Sequence, residues 1–243
     1  MAKLYFKYGA MGSSKTANAL ITKFNYEERG MKVWLIKPAI DTRDGAGVIR
    51  SRIGLAADAQ IIGADTDICA EFAKRSDCHV IIADECQFFA EAQIDQLRRI
   101  VDELDIPVLC FGLRTDFMTH LFPGSRRLFE VADSITEIKT ICTCGKKAIV
   151  NARIDGQGNV ITTGGQILLG GNDSYVAMCH HCWKKAIAAQ ENEVSKSVSV
   201  KIFNNLTRQP LVFQKKSDYI NTGLLRLTYS QCSKPLPDLF LRS

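Results

Sequence analysis

The sequence predicts an α/β fold in which a parallel sheet carries helices on both faces, followed by a small module closed by cysteine pairs. Four short apolar runs, at residues 3–8, 32–37, 79–84 and 107–113, are separated by segments with helical patterning. After residue 138 the chain becomes rich in glycine and β-forming residues, bounded by two close cysteine pairs. Strands that alternate with helices are typical of a parallel sheet.

The composition is that of a soluble globular protein, with 46% apolar and 23% charged residues among 243. No segment approaches the roughly 18 apolar residues of a membrane span, and no leader sequence is recognisable. We therefore expect a cytoplasmic protein with no membrane partner.

The net charge of +5 comes from residues 196–243, which carry eight Lys/Arg and two Asp/Glu, so the remainder is nearly neutral. The charge gives little support to nucleic-acid binding, and none is predicted.

The first strand leads into a small-residue loop and then into a helical pattern at residues 17–24. The loop consists of Gly9, Ala10, Met11, Gly12, Ser13, Ser14, Lys15 and Thr16. This order is the context of a phosphate-binding P-loop, whose backbone N–H groups and helix N-terminus face the anion. Lys15 would reach the β- and γ-phosphates, and the Thr16 hydroxyl would ligate Mg²⁺. Ser14 stands where a second glycine is usual, and a simple turn of small residues is the alternative.

The third apolar run ends in two acidic residues. It is apolar enough to be buried on both faces of a sheet, and an acidic residue after such a strand, beside a P-loop strand, is the Walker B arrangement. Asp84 would hold Mg²⁺ directly or through water. Glu85 would lie at the carboxyl end of the sheet, where a carboxylate can take a proton from an attacking hydroxyl. The alternatives for Glu85 are a helix N-cap or an outer partner of Mg²⁺.

A helix is predicted between the third and fourth strands. Its apolar residues recur at helical spacing: Ala92, Ile94, Leu97, Ile100, Val101 and Leu104.

Four of the nine cysteines form the pattern Cys142-x-Cys144 and Cys179-x-x-Cys182, separated by 34 residues. Paired cysteines in a reducing cytosol favour a metal over disulfides, and four thiolates fit a structural, tetrahedral Zn²⁺ site. The first gap is tighter than usual, so Cys142 or Cys144 could be a bystander, with His180 or His181 as a substitute. Four unligated thiols are the remaining alternative.

Three parts are predicted along the chain: a nucleotide-binding domain at residues 1–138, a zinc-binding domain at 139–195 and a basic extension at 196–243. Residues 155–159 are expected to form a turn between two strands of the second part, and a short helix is expected from residue 183. No structure is predicted for the extension.

At this point the sequence resembles the type II thymidine kinases, a cytosolic family with bacterial and animal members. The motifs that carry the resemblance are residues 9–16, 41–43, 84–89, 111–117, 142–145, 167–172 and 175–179. They span nearly four-fifths of the chain in the order and spacing of the family. The resemblance implies a P-loop NTPase-type (RecA-like) sheet and a zinc-held lasso.

The resemblance also implies roles for the matched residues. Glu85 corresponds to the catalytic base, and ATP and Mg²⁺ would be bound by the loop 9–16 together with Asp41, Arg43, Asp84 and Gln87. The aromatic ring of Phe117 would pack on thymine. The other residues expected around the nucleoside are Met11, Leu113, Phe122, Gln166, Ile167, Leu168, Leu169, Gly170 and Tyr175. Without the resemblance, Phe117 and Tyr175 would be assigned to the core.

The implied activity is transfer of the γ-phosphate of ATP to the 5′-hydroxyl of thymidine, with deoxyuridine as a possible second substrate. Mg²⁺ and a structural Zn²⁺ are the implied metals. A homotetramer inhibited by thymidine triphosphate is the implied assembly. Two alternatives stay open from the residues alone: a P-loop ATPase whose zinc module acts on nucleic acid, and a thymidine-binding homologue weakened by Ser14.

Overall fold

The computed structural model describes residues 1–43, 45, 47–167 and 174–191, which belong to one compact unit. Leu168, Leu169, Gly170 and the extension at 196–243 lie outside the described residues. The elements of the first part are β1 (Leu4–Tyr8), α1 (Lys15–Glu27), β2 (Val33–Pro38), β3 (Val48–Arg50), β4 (Ala56–Asp58), β5 (Gln60–Ile62), α2 (Ile68–Phe72), β6 (Val80–Ala83), a 3-10 turn (Cys86–Phe88), α3 (Glu91–Leu104), β7 (Val108–Gly112), α4 (Pro123–Val131) and β8 (Ser134–Glu137).

Six of these strands form one parallel sheet in the order β5-β2-β6-β7-β1-β8. The four predicted strands are β1, β2, β6 and β7, each within one residue of its expected bounds, and they occupy the centre of the sheet. The edge strands β5 and β8 and the antiparallel hairpin of β3 and β4 were not predicted. These segments are only three or four residues long and mostly exposed or half-buried, so none of them forms an apolar run long enough to be recognised as a strand.

Helices cover both faces of the sheet, as predicted. Alternate residues of a central strand point to opposite faces. Ile81 of β6 packs in the core formed with α2, α3 and α4, whereas its neighbour Ile82 packs with α1. The amphipathic helix α3 is confirmed: four of its six predicted apolar residues are buried, and only Ala92 and Leu104, at its ends, are exposed.

The second part is a small β module. It contains β9 (Thr140–Ile141), β10 (Lys147–Ala148), β11 (Val150–Arg153) and β12 (Tyr175–Met178), and β11 pairs with β12 antiparallel. The predicted turn is confirmed, since the N–H of Asp155 donates to the carbonyl of Asn159 at 2.9 Å. Residues 180–191 are helical and begin three residues before the predicted start. The boundary between residues 138 and 139 stays a prediction.

No helix within the described residues has the length and apolarity needed to cross a membrane.

Candidate active site

The residues predicted to bind ATP and Mg²⁺, and part of those predicted around the nucleoside, follow the carboxyl ends of four adjacent parallel strands. The P-loop follows β1, Asp41 and Arg43 follow β2, Asp84 and Glu85 follow β6, and the segment from Leu113 follows β7. Ligands of open α/β sheets bind at this edge, because the loops that leave neighbouring strands converge there. The strand order therefore brings together residues such as Met11 and Leu113, which are more than a hundred positions apart in the sequence.

The P-loop is closed around the ammonium group of Lys15. Lys15 Nζ donates to the Ala10 carbonyl at 3.0 Å and to Ser13 Oγ at 3.4 Å. Burial lowers the pKa of Lys15, while the carboxylates of Glu85 and Asp84 oppose that shift. The lysine is held inside the loop, next to the cavity that a phosphate would occupy.

Ser14 adopts a left-handed backbone conformation, with φ 60° and ψ 29°, at the N-cap of α1. Its side chain makes no capping hydrogen bond. A residue with a Cβ is disfavoured in this conformation, which explains why glycine suits the position. The serine that replaces the usual glycine of the loop therefore adopts a strained backbone conformation.

A polar cavity opens beside the loop. Its lining includes Met11, Gly12, Ser14, Lys15, Thr16, Asp41, Arg43, Asp84 and Glu85, with residues 49–53 of the β3 region on the far side. Thr16 and Asp84 both line this cavity. Burial and the neighbouring Glu85 raise the pKa of Asp84 to about 7. A hydroxyl and a carboxylate that line the same cavity are a donor set that suits Mg²⁺.

Glu85 is buried, and its carboxylate is held by two side chains. Its backbone has φ 51° and ψ 35°, a left-handed conformation that is uncommon for a residue with a side chain. One carboxylate oxygen accepts from Arg43 Nη2, and the other accepts from Gln87 Nε2 at 2.5 Å. Burial raises the pKa of Glu85, but the charges of Arg43 and Lys15 outweigh it and hold that pKa below its usual value. Glu85 is thereby kept as a carboxylate.

Arg43 and Gln87 connect Glu85 to the rest of the site. Arg43 Nε also donates to Asp41 Oδ1 at 2.7 Å. Gln87 Oε1 accepts from the Leu113 amide at 2.9 Å, so its carboxamide lies behind Glu85 and does not line the polar cavity. Glycine at position 112 leaves room for this carboxamide, because a Cβ there would lie 2.5 Å from the Oε1 atom of Gln87. Gln87 is thus placed to orient the carboxylate, whereas its predicted role in ATP or Mg²⁺ binding stays a prediction.

A second, mostly apolar pocket adjoins the polar cavity, and Met11, Asp41, Arg43, Glu85 and Leu113 line both. Seven residues predicted around the nucleoside lie in its wall: Met11, Leu113, Phe117, Phe122, Gln166, Ile167 and Tyr175. The pocket also contains four residues that sequence reasoning missed: Phe88, Thr115, Asp116 and Asn151. Leu168, Leu169 and Gly170 belong to the undescribed part of the chain.

Arg153, which sequence reasoning also missed, organises the wall of this pocket. Its guanidinium carbon lies 3.8 Å from the ring centroid of Phe117. The same group donates to the Tyr175 hydroxyl at 2.8 and 3.0 Å and to the carbonyls of Gly165 and Gln166 at 3.1 and 3.3 Å. The only sequence signal is that Asn151 and Arg153 share one face of a strand whose other face is apolar.

The four predicted cysteines are brought together. The sulfur atoms of Cys142, Cys144, Cys179 and Cys182 all lie within 4.8 Å of one another. The backbone N–H groups of Cys144 and Cys179 lower the pKa of Cys142 to about 6, which favours the thiolate that binds metals. The cluster could hold a zinc ion. Both cysteines of the closely spaced first pair, Cys142 and Cys144, belong to it.

Comparison with known proteins identifies the family. A family model described as thymidine kinase matches residues 2–183, which is most of the chain. The chain belongs to the thymidine kinase family.

Curated thymidine kinases from several bacteria resemble this family member over their whole length. That of Vibrio cholerae is 48% identical over 190 residues, which are 77% of this chain and 99% of that protein. That of Yersinia pestis is 45% identical over 192 residues, which are 78% of this chain and 98% of that protein. That of Pasteurella multocida is 44% identical over 191 residues, which are 77% of this chain and 100% of that protein. Membership of this family does not favour the alternative of a nucleic-acid-dependent ATPase.

Proposed function

We propose that this thymidine kinase family member transfers the γ-phosphoryl group of ATP to the 5′-hydroxyl of thymidine, with Glu85 as the catalytic base. The single observation that supports this assignment is the position of Glu85 in the wall of both the polar cavity and the apolar pocket. A donor phosphate in the first and a nucleoside in the second would meet at its carboxylate. Family membership supports the identity of the acceptor.

Phosphoryl transfer depends mainly on positioning and on neutralising the charge that spreads over the transferred group. On the donor side, Lys15 and the N–H groups of the P-loop would bind phosphate oxygens. Arg43 is within reach of the same cavity and would add a second positive charge. Thr16 and Asp84 would hold Mg²⁺, which supplies further charge neutralisation when bound.

On the acceptor side, the carboxylate of Glu85 would accept the proton of the 5′-hydroxyl. The lowered pKa keeps Glu85 ionised, and Gln87 fixes its orientation through one oxygen. The ion pair with Arg43 occupies the other oxygen. We infer that a donor phosphate competes for the guanidinium of Arg43, so that binding of ATP frees the oxygen that takes the proton.

The apolar pocket would select the pyrimidine. The ring of Phe117 offers a stacking surface, and Gln166 is held in the wall by its bond to Asp116 Oδ2 at 3.0 Å. A pocket that pairs the polar edge of a base rejects a base with a different pattern, because buried donors or acceptors are then unpaired. Zn²⁺ at the four cysteines would stabilise the module that carries β11 and β12, and its loss would act on nucleoside binding.

The test is an ADP-release assay with thymidine, deoxyuridine, deoxycytidine and single-stranded DNA offered separately. Turnover with thymidine, lost in Glu85→Gln and retained in the surface control Glu103→Gln, supports the proposal. Turnover that requires DNA and ignores the nucleosides would refute it. Binding of thymidine without turnover would indicate a weakened homologue.

Assembly and regulation are proposed on the family resemblance alone. We propose a cytoplasmic homotetramer that is inhibited by thymidine triphosphate. Light scattering of the purified protein would measure the assembly, and addition of thymidine triphosphate to the ADP-release assay would measure the inhibition. A monomer, or unchanged turnover, would contradict the respective proposal.

A further inference from the structure

The side chain of Asn151 joins the two halves of the active site. It is buried, with 2% of its surface exposed. Its Oδ1 atom accepts from the backbone N–H of Met11 at 2.8 Å, and its Nδ2 atom donates to the carbonyl of Thr115 at 2.8 Å. One partner is a donor and the other an acceptor, so only one orientation of the carboxamide satisfies both.

The two partners belong to the loops that would hold the two substrates. Met11 lies in the P-loop and lines both cavities. Thr115 lies two residues before Phe117 in the wall of the apolar pocket. Asn151 itself belongs to β11, whose partner strand β12 ends at Met178, directly before Cys179. A single carboxamide thus connects the P-loop, the loop after β7 and the cysteine module.

A buried amide with two partners resists separation of the segments that it connects. Removal of the carboxamide leaves a backbone N–H and a backbone carbonyl without their partners. The second link from the module to the P-loop, from Thr140 Oγ1 to the Gly12 carbonyl, is long at 3.5 Å. Gln166 Nε2 also links the module to Asp116 Oδ2 at 3.0 Å, and the Gly9 N–H links the start of the P-loop to the Gly112 carbonyl at 3.2 Å. Asn151 differs from these links because one buried side chain hydrogen-bonds both loops.

We propose that Asn151 is a positioning residue that couples the ATP site to the nucleoside site. It sets the distance between the P-loop and the pocket wall, so that binding of one substrate fixes the loop that contacts the other. This inference rests on the proposed function. Alignment of two reactants is sensitive to small displacements, and a shift of about 1 Å can cost on the order of a hundredfold in rate. Coupling between two sites is a free energy that acts equally in both directions.

The test compares the wild type with Asn151→Val, which removes both hydrogen bonds, and with Asn151→Asp, which keeps the acceptor for Met11 but loses the donor to Thr115. Asn159→Ala is the matched control, because Asn159 lies in the same module and its hydrogen bonds to described residues stay within the turn at residues 155–159. Calorimetry measures thymidine binding with and without a non-hydrolysable ATP analogue and Mg²⁺. Thermal melting checks that each variant is folded.

We expect the analogue to raise the thymidine affinity of the wild type and of Asn159→Ala at least about fivefold. In Asn151→Val the ratio should fall close to one, with kcat reduced about tenfold to a hundredfold. Asn151→Asp should lie between them. An unchanged ratio and kcat in a folded Asn151→Val would overturn the inference, as would an equal loss of both affinities with no change in their ratio. A wild type that binds no thymidine would overturn the proposed function, and the inference with it.

Discussion

Arg43 forms an ion pair with Glu85 and, through its Nε atom, a hydrogen bond of 2.7 Å with Asp41. The guanidinium thus connects the loop after β2 to the carboxylate after β6. The positive charge beside Glu85 is one cause of the lowered pKa of that residue. This relationship gives the first prediction.

Replacement of Arg43 by Met should move the acid limb of the kcat/KM profile to higher pH. Glu85 has a lowered pKa and must be ionised to act as a base, so activity is lost as the pH falls through that pKa. Without the guanidinium, burial dominates and the pKa rises. The measurement is the pH dependence of kcat/KM for thymidine, which reports groups of the free enzyme. Arg43→Lys, which keeps a charge, should shift the limb less. A limb that stays in place in Arg43→Met would contradict the assignment of Glu85 as the base.

Ser14→Gly should stabilise the protein. The left-handed backbone of Ser14 carries a steric cost that glycine does not. Part of this gain is lost because glycine is more flexible in the unfolded chain, so we expect a net increase of about 0.5 to 1 kcal/mol in the free energy of unfolding. Urea denaturation measures it. Ser14→Ala retains a Cβ and should match the wild type; equal stability of all three proteins would argue against strain at this position.

Arg153→Lys should weaken thymidine binding selectively. A lysine cannot stack a planar group on Phe117 while it donates to Tyr175 and two carbonyl groups. Loss of one charged hydrogen bond corresponds to about tenfold in KM for thymidine, with KM for ATP nearly unchanged. Steady-state kinetics with each substrate varied in turn provides the measurement.

Arg99→Lys, at an exposed position on α3, is the control for Arg153→Lys and should behave as the wild type. A parallel rise in both KM values for Arg153→Lys would instead indicate a general loss of structure.

Cys179→Ser should lower the zinc content of the purified protein, which we expect to approach one ion per chain. The four sulfur atoms converge on one point, and loss of one ligand weakens a tetrahedral site. The thymidine KM should rise in this variant. Metal analysis by mass spectrometry measures the content, with Cys69→Ser, a half-buried cysteine of α2, as the control. Unchanged zinc in Cys179→Ser would remove that residue from the ligand set.

The central strands and α3 could be predicted because their signal is local: each is an apolar run, or an apolar stripe, bounded by polar residues. The edge strands β5 and β8 could not, because they bury little surface and their pairing depends on neighbours far along the chain. The same distinction holds within the site. The loop 9–16 and the Asp84–Glu85 pair form recognisable motifs, whereas Arg153 lies in no motif.

The sequence by itself determined the central strands, the helix α3 and the motifs that predict the site, since a glycine-containing loop, an acidic strand end and two cysteine pairs are each formed by a few adjacent residues. Only the tertiary structure decided how these parts act on one another. It placed Ser14 in a left-handed conformation, paired Arg43 with Glu85, and connected Met11 to Asn151 across 140 positions. Such contacts depend on the packing of whole elements, and packing is set by the strand order and the cores on both faces of the sheet.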